Sequence, residues 1–453
     1  MRGTKASDSF EAARESWFNG WQEVVHLFGC QPVLLHPEPD LQAILEYLCG
    51  ESNKLFNCAA YYARQIYFKT RKYVGKARLD EEMKSNLHFQ AMHSQAAQQT
   101  CHSVWEAFKS YRELLAVWRR GELADKPKLP NYRDAGFYVA SYPKQALKLV
   151  DGMIRVPLGN KVKIWFGLDS FTLPMPSNLK FGDIKEIRIL PRHRCFYAEF
   201  VYAVEPVQAE LDPLKALGID HGIDNWLTCV STLGESFIID GRQVKDLNQW
   251  YNKSVARLKE DQPQGFWSQQ LAHITEKRNR QMRDAINKAA RMVINYCVKH
   301  QIGTIVFGWG QGIKQSVNLG KKTNQKFVQI PTARLKDRIA QLCEQYGLQF
   351  VETEEANTSA ASFLDHDALP KHGEKPADWQ ASGKRVKRGL YRTLMHWYIN
   401  ADGNGGANIL AKVSMRLGLD LSQVSRAALT QPQRFRLWQL AGNREAVRLQ
   451  PTA

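Results

Sequence analysis

The chain has 453 residues, enough to bury a sizeable core and to divide into two or three domains. Its 62 Lys and Arg against 45 Asp and Glu leave a formal charge of +17, an excess that no fold requires and a polyanionic partner explains. There is no charged-then-apolar leader and no apolar run of the ~18 residues that cross a bilayer, so neither export nor a membrane span is expected. Eight cysteines without a C-x-x-C pair argue against a structural zinc site and fit a reducing cytoplasm. The charge is uneven: residues 1–53 hold three basic against eight acidic side chains, whereas 54–148 hold seventeen against eight. Further basic blocks lie at 276–299, 314–338 and 371–392.

In chain order, residues 1–29 read as a variable lead-in, and C-Q-P-V-L-L-H-P-E-P at 30–39 as a short strand closed by prolines. From Leu41 to about Arg120 apolar residues recur at helical spacing, as in Leu41, Ile44, Leu45 and Leu48, then Leu55, Ala59 and Tyr62. A second amphipathic helix is predicted over His93–Trp118. K-P-K-L-P-N-Y-R at 126–133 breaks the helical texture, and period-two alternation follows at 137–142, 153–158, 161–166, 184–190 and 196–204. That pattern predicts a small antiparallel β-barrel built from 30–40 and 126–210 beside a helical lobe at 41–125.

From Leu211 the pattern becomes α/β. Strands are predicted at 215–220, 226–232, 236–240, 304–308 and 348–353, with helices at about 268–300 and 332–346. Three strands, then helix, strand, helix, strand and a late helix is the RNase H-like order, in which strands one, four and five run parallel. In such sheets sites form beyond the carboxyl ends of strands. Asp220 ends the first of these strands in G-I-D-H-G-I-D-N-W-L-T (218–228). Asp402 opens a Gly/Asn-rich turn, N-A-D-G-N-G-G-A-N-I (400–409), before a helix predicted at Ala407–Val413. Carboxylates gathered from distant positions are what a phosphodiester-cleaving metal site requires, because they hold divalent ions that activate water and stabilise the leaving oxygen.

These stretches together resemble the TnpB (OrfB) family of insertion sequences, compact RNA-guided nucleases related to type V CRISPR effectors. E-T-E-E-A-N-T-S-A-A-S-F-L-D-H-D-A-L-P at 352–370 is similar to the family's E-E-x-Y-T-S-K-x-S stretch. G-K-R-V-K-R-G-L-Y-R at 383–392 matches a branch without the zinc-binding cysteines, so 360–395 reads as a basic insertion in place of a zinc ribbon, within a nuclease domain at 211–453. Q-A-A-Q-Q-T at 95–100 and F-K-S-Y at 108–111 are similar to the family's N-terminal half. The resemblance implies a multidomain α+β and α/β protein with a helical recognition lobe, a wedge-like barrel and a RuvC nuclease domain. It implies a guide RNA and a double-stranded DNA target as partners, with base pairing supplying the sequence. It further implies a cytoplasmic, nucleoid-associated enzyme with two Mg²⁺ ions and no structural zinc.

The third carboxylate departs from the family pattern. Most relatives end the fourth strand with a glutamate, and this chain has Gly308 there. The resemblance points instead to the end of strand five, at Glu352, Glu354 or Glu355, with Glu355 favoured and Glu354 its substitute. Asn357 and Ala360 stand where the family has Tyr and Lys, which leaves a nuclease-inactive guided DNA-binding protein, or a transposition accessory protein, as alternatives. Lys277, Arg280, Lys288 and Arg291 fall near one face of the long helix with Arg283 beside them, forming a nucleic-acid-facing stripe. Lys384, Arg385, Lys387 and Arg388 form a basic loop suited to gripping the substrate strand. His221 and His366 are read as structural.

Overall fold

The computed structural model describes residues 27–310 and 330–438, so the lead-in up to residue 26 and most of the basic block at 314–338 lie outside the described residues. Within them the fold is mixed α+β and multidomain, dividing into one compact unit that ends at Glu205 and another that begins at Pro206. No described helix is long and apolar enough to cross a membrane.

The first unit comprises β1 (Leu27–Leu34), α1 (Pro39–Thr70), α2 (Lys76–Met83), α3 (Leu87–Ala91), α4 (Ser94–Arg119), β2 (Ala140–Pro143), β3 (Lys148–Val150), β4 (Met153–Pro157), α5 (Asn160–Phe166), β5 (Ser170–Pro174), β6 (Ile184–Arg192) and β7 (Cys195–Val204). A proline in its first turn starts α1, where no backbone donor is needed. Its stripe of Ile44, Leu45, Leu48, Leu55 and Ala59 is buried. β1 pairs antiparallel with β7 along its whole length, from Leu27 opposite Val204 to Leu34 opposite Tyr197. The strands expected to close one barrel lie in two antiparallel sheets, β1-β7-β6-β2 and β3-β4-β5. One core joins helices and sheets, with Leu48, Ala97 and Val104 packed in the same cluster as Ile154, Ile187 and Phe200.

K-V-K-I-W-F at 161–166 is helix α5, not the strand that its alternation suggests. Gly167 closes it in the left-handed region (φ 68°), a helix stop that period-two counting ignores. Only Val162 is buried, while Ile164 and Trp165 are exposed.

The second unit comprises β8 (Asp212–His221), β9 (Asn225–Ser231), β10 (Ser236–Asp240), α6 (Arg242–Leu258), α7 (Gln269–Lys299), β11 (Ile302–Gly308), α8 (Thr332–Tyr346), β12 (Gln349–Thr353), β13 (Lys384–Lys387), β14 (Leu390–Arg392), β15 (Tyr398–Asn400), α9 (Ala401–Leu417), α10 (Arg426–Thr430) and β16 (Gln433–Phe435). Six strands form one sheet in the order β12-β11-β8-β9-β10-β16, with β8, β11 and β12 mutually parallel. One face, through Leu217, Ile219, Ile305 and Phe307, packs against Ala285, Ala289 and Val293 of α7 and Leu335 and Ile339 of α8. The other, through Ala216, Val230 and Val306, packs against Ala407, Ile409 and Leu410 of α9. Cover on both faces is what gives these strands their near-continuous apolar runs.

Two local expectations change here. Lys384–Lys387 form strand β13 of a small antiparallel sheet, β13-β14-β15, and not a loop, with Arg388 in the turn that follows. The segment after Asn400 is helical from Ala401, so Asp402 lies in the first turn of α9, not in a turn preceding a helix that starts at Ala407. Three glycines in its first turns cost roughly 1 kcal/mol each relative to alanine in isolation. The Asn400 side chain offsets part of that by accepting hydrogen bonds from the backbone N–H groups of Asp402 and Gly403. Contact accounts for Gly406. A Cβ on Gly218 of β8 would lie 2.6 Å from the Gly406 carbonyl, and one on Gly406 would lie 3.0 Å from Val230. Helix and sheet therefore meet almost backbone to backbone.

Candidate functional site

Alternation along β8 turns Leu217 and Ile219 to one helical layer and Ala216, Gly218 and Asp220 toward α9. The close approach of α9 brings Gly405 over Asp220, so that a Cβ there would stand 3.0 Å from Asp220 Oδ2. Asp402, one turn earlier on α9, joins Asp220 at this edge.

On β11 the same alternation points the absent side chain of Gly308 toward α9. A Cβ on Gly308 would lie 2.4 Å from Ile409 Cδ1 and 3.1 Å from both Cγ and Oε1 of Glu355. Glu355 thus reaches into the space that a side chain on Gly308 would need. Strand β12 ends at Thr353, two residues before it, which frees Glu355 from the alternation that aims Glu352 and Glu354. The other two acids are engaged elsewhere: Glu352 pairs with Lys336, and Glu354 with Lys412 at 2.8 Å. Glu355 and Asp402 each lie close enough to Asp220 for their charges to act on it, whereas Glu354 is turned to Lys412.

The electrostatics follow from that crowding. Burial, then the charges of Glu355 and Asp402, push the Asp220 carboxyl well above the ordinary range, opposed by Arg385 and a backbone N–H. Burial raises Glu355 to about 7. Its Oε1 is buried without a hydrogen-bond partner, although His221 Nε2 stands 3.4 Å away. Burial also works to raise Glu354, but the Lys412 ammonium and the His372 N–H outweigh it and hold that carboxyl low.

Asp402 is held by a network. Arg385 Nη2 donates to its Oδ1 at 2.9 Å, and Asn225 Nδ2 donates to its Oδ2 at 2.6 Å. Asn225 in turn accepts from Arg434 Nη2 at 2.8 Å. Among the described residues, no group of three or more His, Cys, Asp or Glu side chains stands at metal-binding separations. The donor set still fits a hard cation. It is three carboxylates, one with an unpartnered buried oxygen and two with raised proton affinity that a cation would relieve.

The basic residues divide. On α7, Lys277 lies over Trp250, Arg280 is exposed and Arg283 is partly buried. Lys288 pairs with Asp284 at 2.8 Å, and Arg291 packs over the Tyr346 ring. On β13, Lys384 and Lys387 are exposed, whereas Arg385 binds Asp402 and Arg388 just beyond pairs with Asp224. His366 is exposed in a turn with φ 55°. Asn225, Arg434 and Lys412 were not singled out by the sequence. Only the four-residue spacing of Asn404, Asn408 and Lys412 hinted at a polar face on α9.

A family model described as OrfB_IS605, Probable transposase, matches residues 199–310, a stretch that contains Asp220 but not Glu355 or Asp402. No curated protein sequence matches. Among solved structures, the chain is similar to the protein of a Cas12f1–sgRNA–target DNA complex, at 14% identity and a TM-score of 0.54, covering 89% of this chain and 86% of that one. It also aligns with the mini-RNA-guided endonuclease CRISPR-Cas_phi3, at 10% identity and a TM-score of 0.43, covering 94% and 98%. The first likeness shows a shared fold.

Proposed function

For a chain that belongs to the TnpB-like (OrfB) family, we propose an RNA-guided DNA endonuclease of a transposable element, with a RuvC-type site formed by Asp220, Glu355 and Asp402. The observation that carries this reading is the convergence of the three carboxylates at one sheet edge, with Glu355 filling the space beside Gly308. Strand order and the two helical layers support an RNase H-like architecture. The helices at 41–125 would form the recognition lobe, the β-rich remainder of that unit the wedge, and the 360–395 segment the basic replacement for a zinc ribbon.

Two Mg²⁺ ions, when bound, would supply Lewis-acid chemistry for hydrolysis of a phosphodiester. Asp220, Glu355 and Asp402 would hold them. Asn225 orients Asp402 by donating to Oδ2, and Arg385 supplies positive charge at the same carboxylate. Glu355 must surrender its proton before it can ligate, so its high proton affinity makes cation binding compete with protonation. Lys277, Arg280, Arg283, Lys288 and Arg291, with Lys384, Arg385, Lys387 and Arg388, would neutralise phosphates of guide RNA and DNA. The target would be double-stranded DNA in the cytoplasm, read by base pairing.

The hold of Arg385 and Asn225 on Asp402 is the observation that favours a second reading, guided DNA binding without cleavage. Purified protein with its co-purified RNA, sequenced to name the target, should cut matched DNA in Mg²⁺ and stop in chelator. Matched binding without cutting, unchanged in Asp220→Ala, would select the second reading. Strand transfer of element ends that survives RNase would overturn both.

A further inference from the structure

We propose that Asn404, Asn408 and Lys412 of α9, with Glu354, form a positioning ladder that sets Glu355 in register with Asp402. The inference rests on the reading of Glu355 as a metal ligand. Residues four apart lie on one side of a helix, so Asn404, Asn408 and Lys412 present a single polar row in an otherwise apolar interface. Every rung ends on the loop that carries Glu355. Asn404 Nδ2 donates to the Ala361 carbonyl at 2.7 Å, and its Oδ1 accepts from Phe363 N–H at 3.0 Å. Asn408 Nδ2 donates to the carbonyls of Thr358 and Ala361, both at 2.8 Å. Lys412 Nζ donates to Glu354 Oε1 at 2.8 Å. The loop then closes on itself, with Thr358 N–H and Oγ1 both donating to the Glu355 carbonyl.

Asp402 stands two residues before the first rung on the same helix. One rigid element therefore carries one candidate ligand directly and grips the loop of another at three heights. The chemistry of the last rung argues that it is more than packing. The Lys412 side chain is only 6% exposed, and an ammonium is buried at that depth only against a fixed partner. Both Glu354 oxygens are in use, Oε1 by Lys412 and Oε2 by the His372 N–H at 3.0 Å. Glu354 is thus a positioning residue and not a spare ligand.

The test is Mn²⁺ binding to the full chain by calorimetry, alongside melting curves. Removing groups that orient ligands costs roughly 10- to 100-fold in metal affinity, so Lys412→Met should bind Mn²⁺ at least about tenfold more weakly. Glu354→Leu combined with Lys412→Met replaces the pair with apolar side chains and leaves no unpaired charge, so it should fold even if Lys412→Met does not. It should melt like the wild type yet keep the weakened Mn²⁺ affinity, an outcome that a purely structural pair would not give. Wild-type Mn²⁺ affinity in that double variant, with Glu355→Gln weakened, overturns the ladder alone. Wild-type affinity in Glu355→Gln, with Asp220→Asn weakened, overturns the reading of Glu355 and the ladder with it.

Discussion

Replacing Glu355 with glutamine should stabilise the metal-free protein at about pH 8 and change it little at about pH 4. Burial raises this carboxyl from an ordinary value near 4.5 to about 7. Between those values the folded chain keeps a proton that the unfolded chain has released, so stability falls as pH rises through the window. Each tenfold in proton affinity corresponds to about 1.4 kcal/mol, which makes the full penalty about 3 kcal/mol above pH 7. Glutamine has no proton to lose and avoids it. The groups facing Glu355 matter to the slope that remains. Asp220 is raised in the same direction, partly by the Glu355 charge itself, so the substitution also relieves Asp220. His221 Nε2 also faces it, 3.4 Å away. Urea unfolding in chelator at several pH values measures the difference. A glutamine variant no more stable than the wild type at about pH 8, or one shifted equally at all pH, would refute the account of Glu355 as an acid whose proton affinity is raised by burial.

Three further outcomes follow from contacts at the same edge and from the charge on α7. Asn400→Ala removes the cap over Asp402 and Gly403 and should cost about 1 kcal/mol in chemical denaturation. Gly405→Ala places a methyl group 3.0 Å from Asp220 Oδ2; it should weaken Mn²⁺ binding in calorimetry while leaving the fold intact, because a helix interior favours alanine. Removing Lys277 or Arg280 should weaken nucleic-acid binding for all sequences alike. The slope of log K against log salt should become shallower by about one for each phosphate left without its cation, measured by filter binding across ionic strengths.

Much of the sheet was legible because its causes are local. The apolar runs around Leu217, Val230 and Val306 are buried on both faces, and the breaks at Gly308 and Gly347 are punctuation that any strand or helix obeys. The segment at Lys161–Phe166 misled because two-residue alternation over six positions is weak against a helix-closing glycine. The start of α9 misled for the opposite reason. Its glycines speak locally against helix, and only contact with the sheet accounts for Gly406. Glu355 was favoured over Glu354 on the resemblance alone, and the contact that sets Glu354 apart is made by Lys412, 58 residues farther along the chain. Asn225 and Arg434 were invisible to spacing, since they meet their partners across 177 and 209 residues.

The most direct measurement is single-turnover cleavage of guide-matched DNA in Mg²⁺ by the RNA-loaded wild type, Asp220→Asn, Glu355→Gln, Glu354→Gln and Asp402→Asn, each with target binding measured in parallel. The account predicts undiminished binding throughout, loss of cleavage by orders of magnitude in the Asp220, Glu355 and Asp402 variants, and a measurable residual rate in Glu354→Gln. Wild-type cleavage by Glu355→Gln would contradict it, as would a wild-type chain that binds its matched target and never cuts.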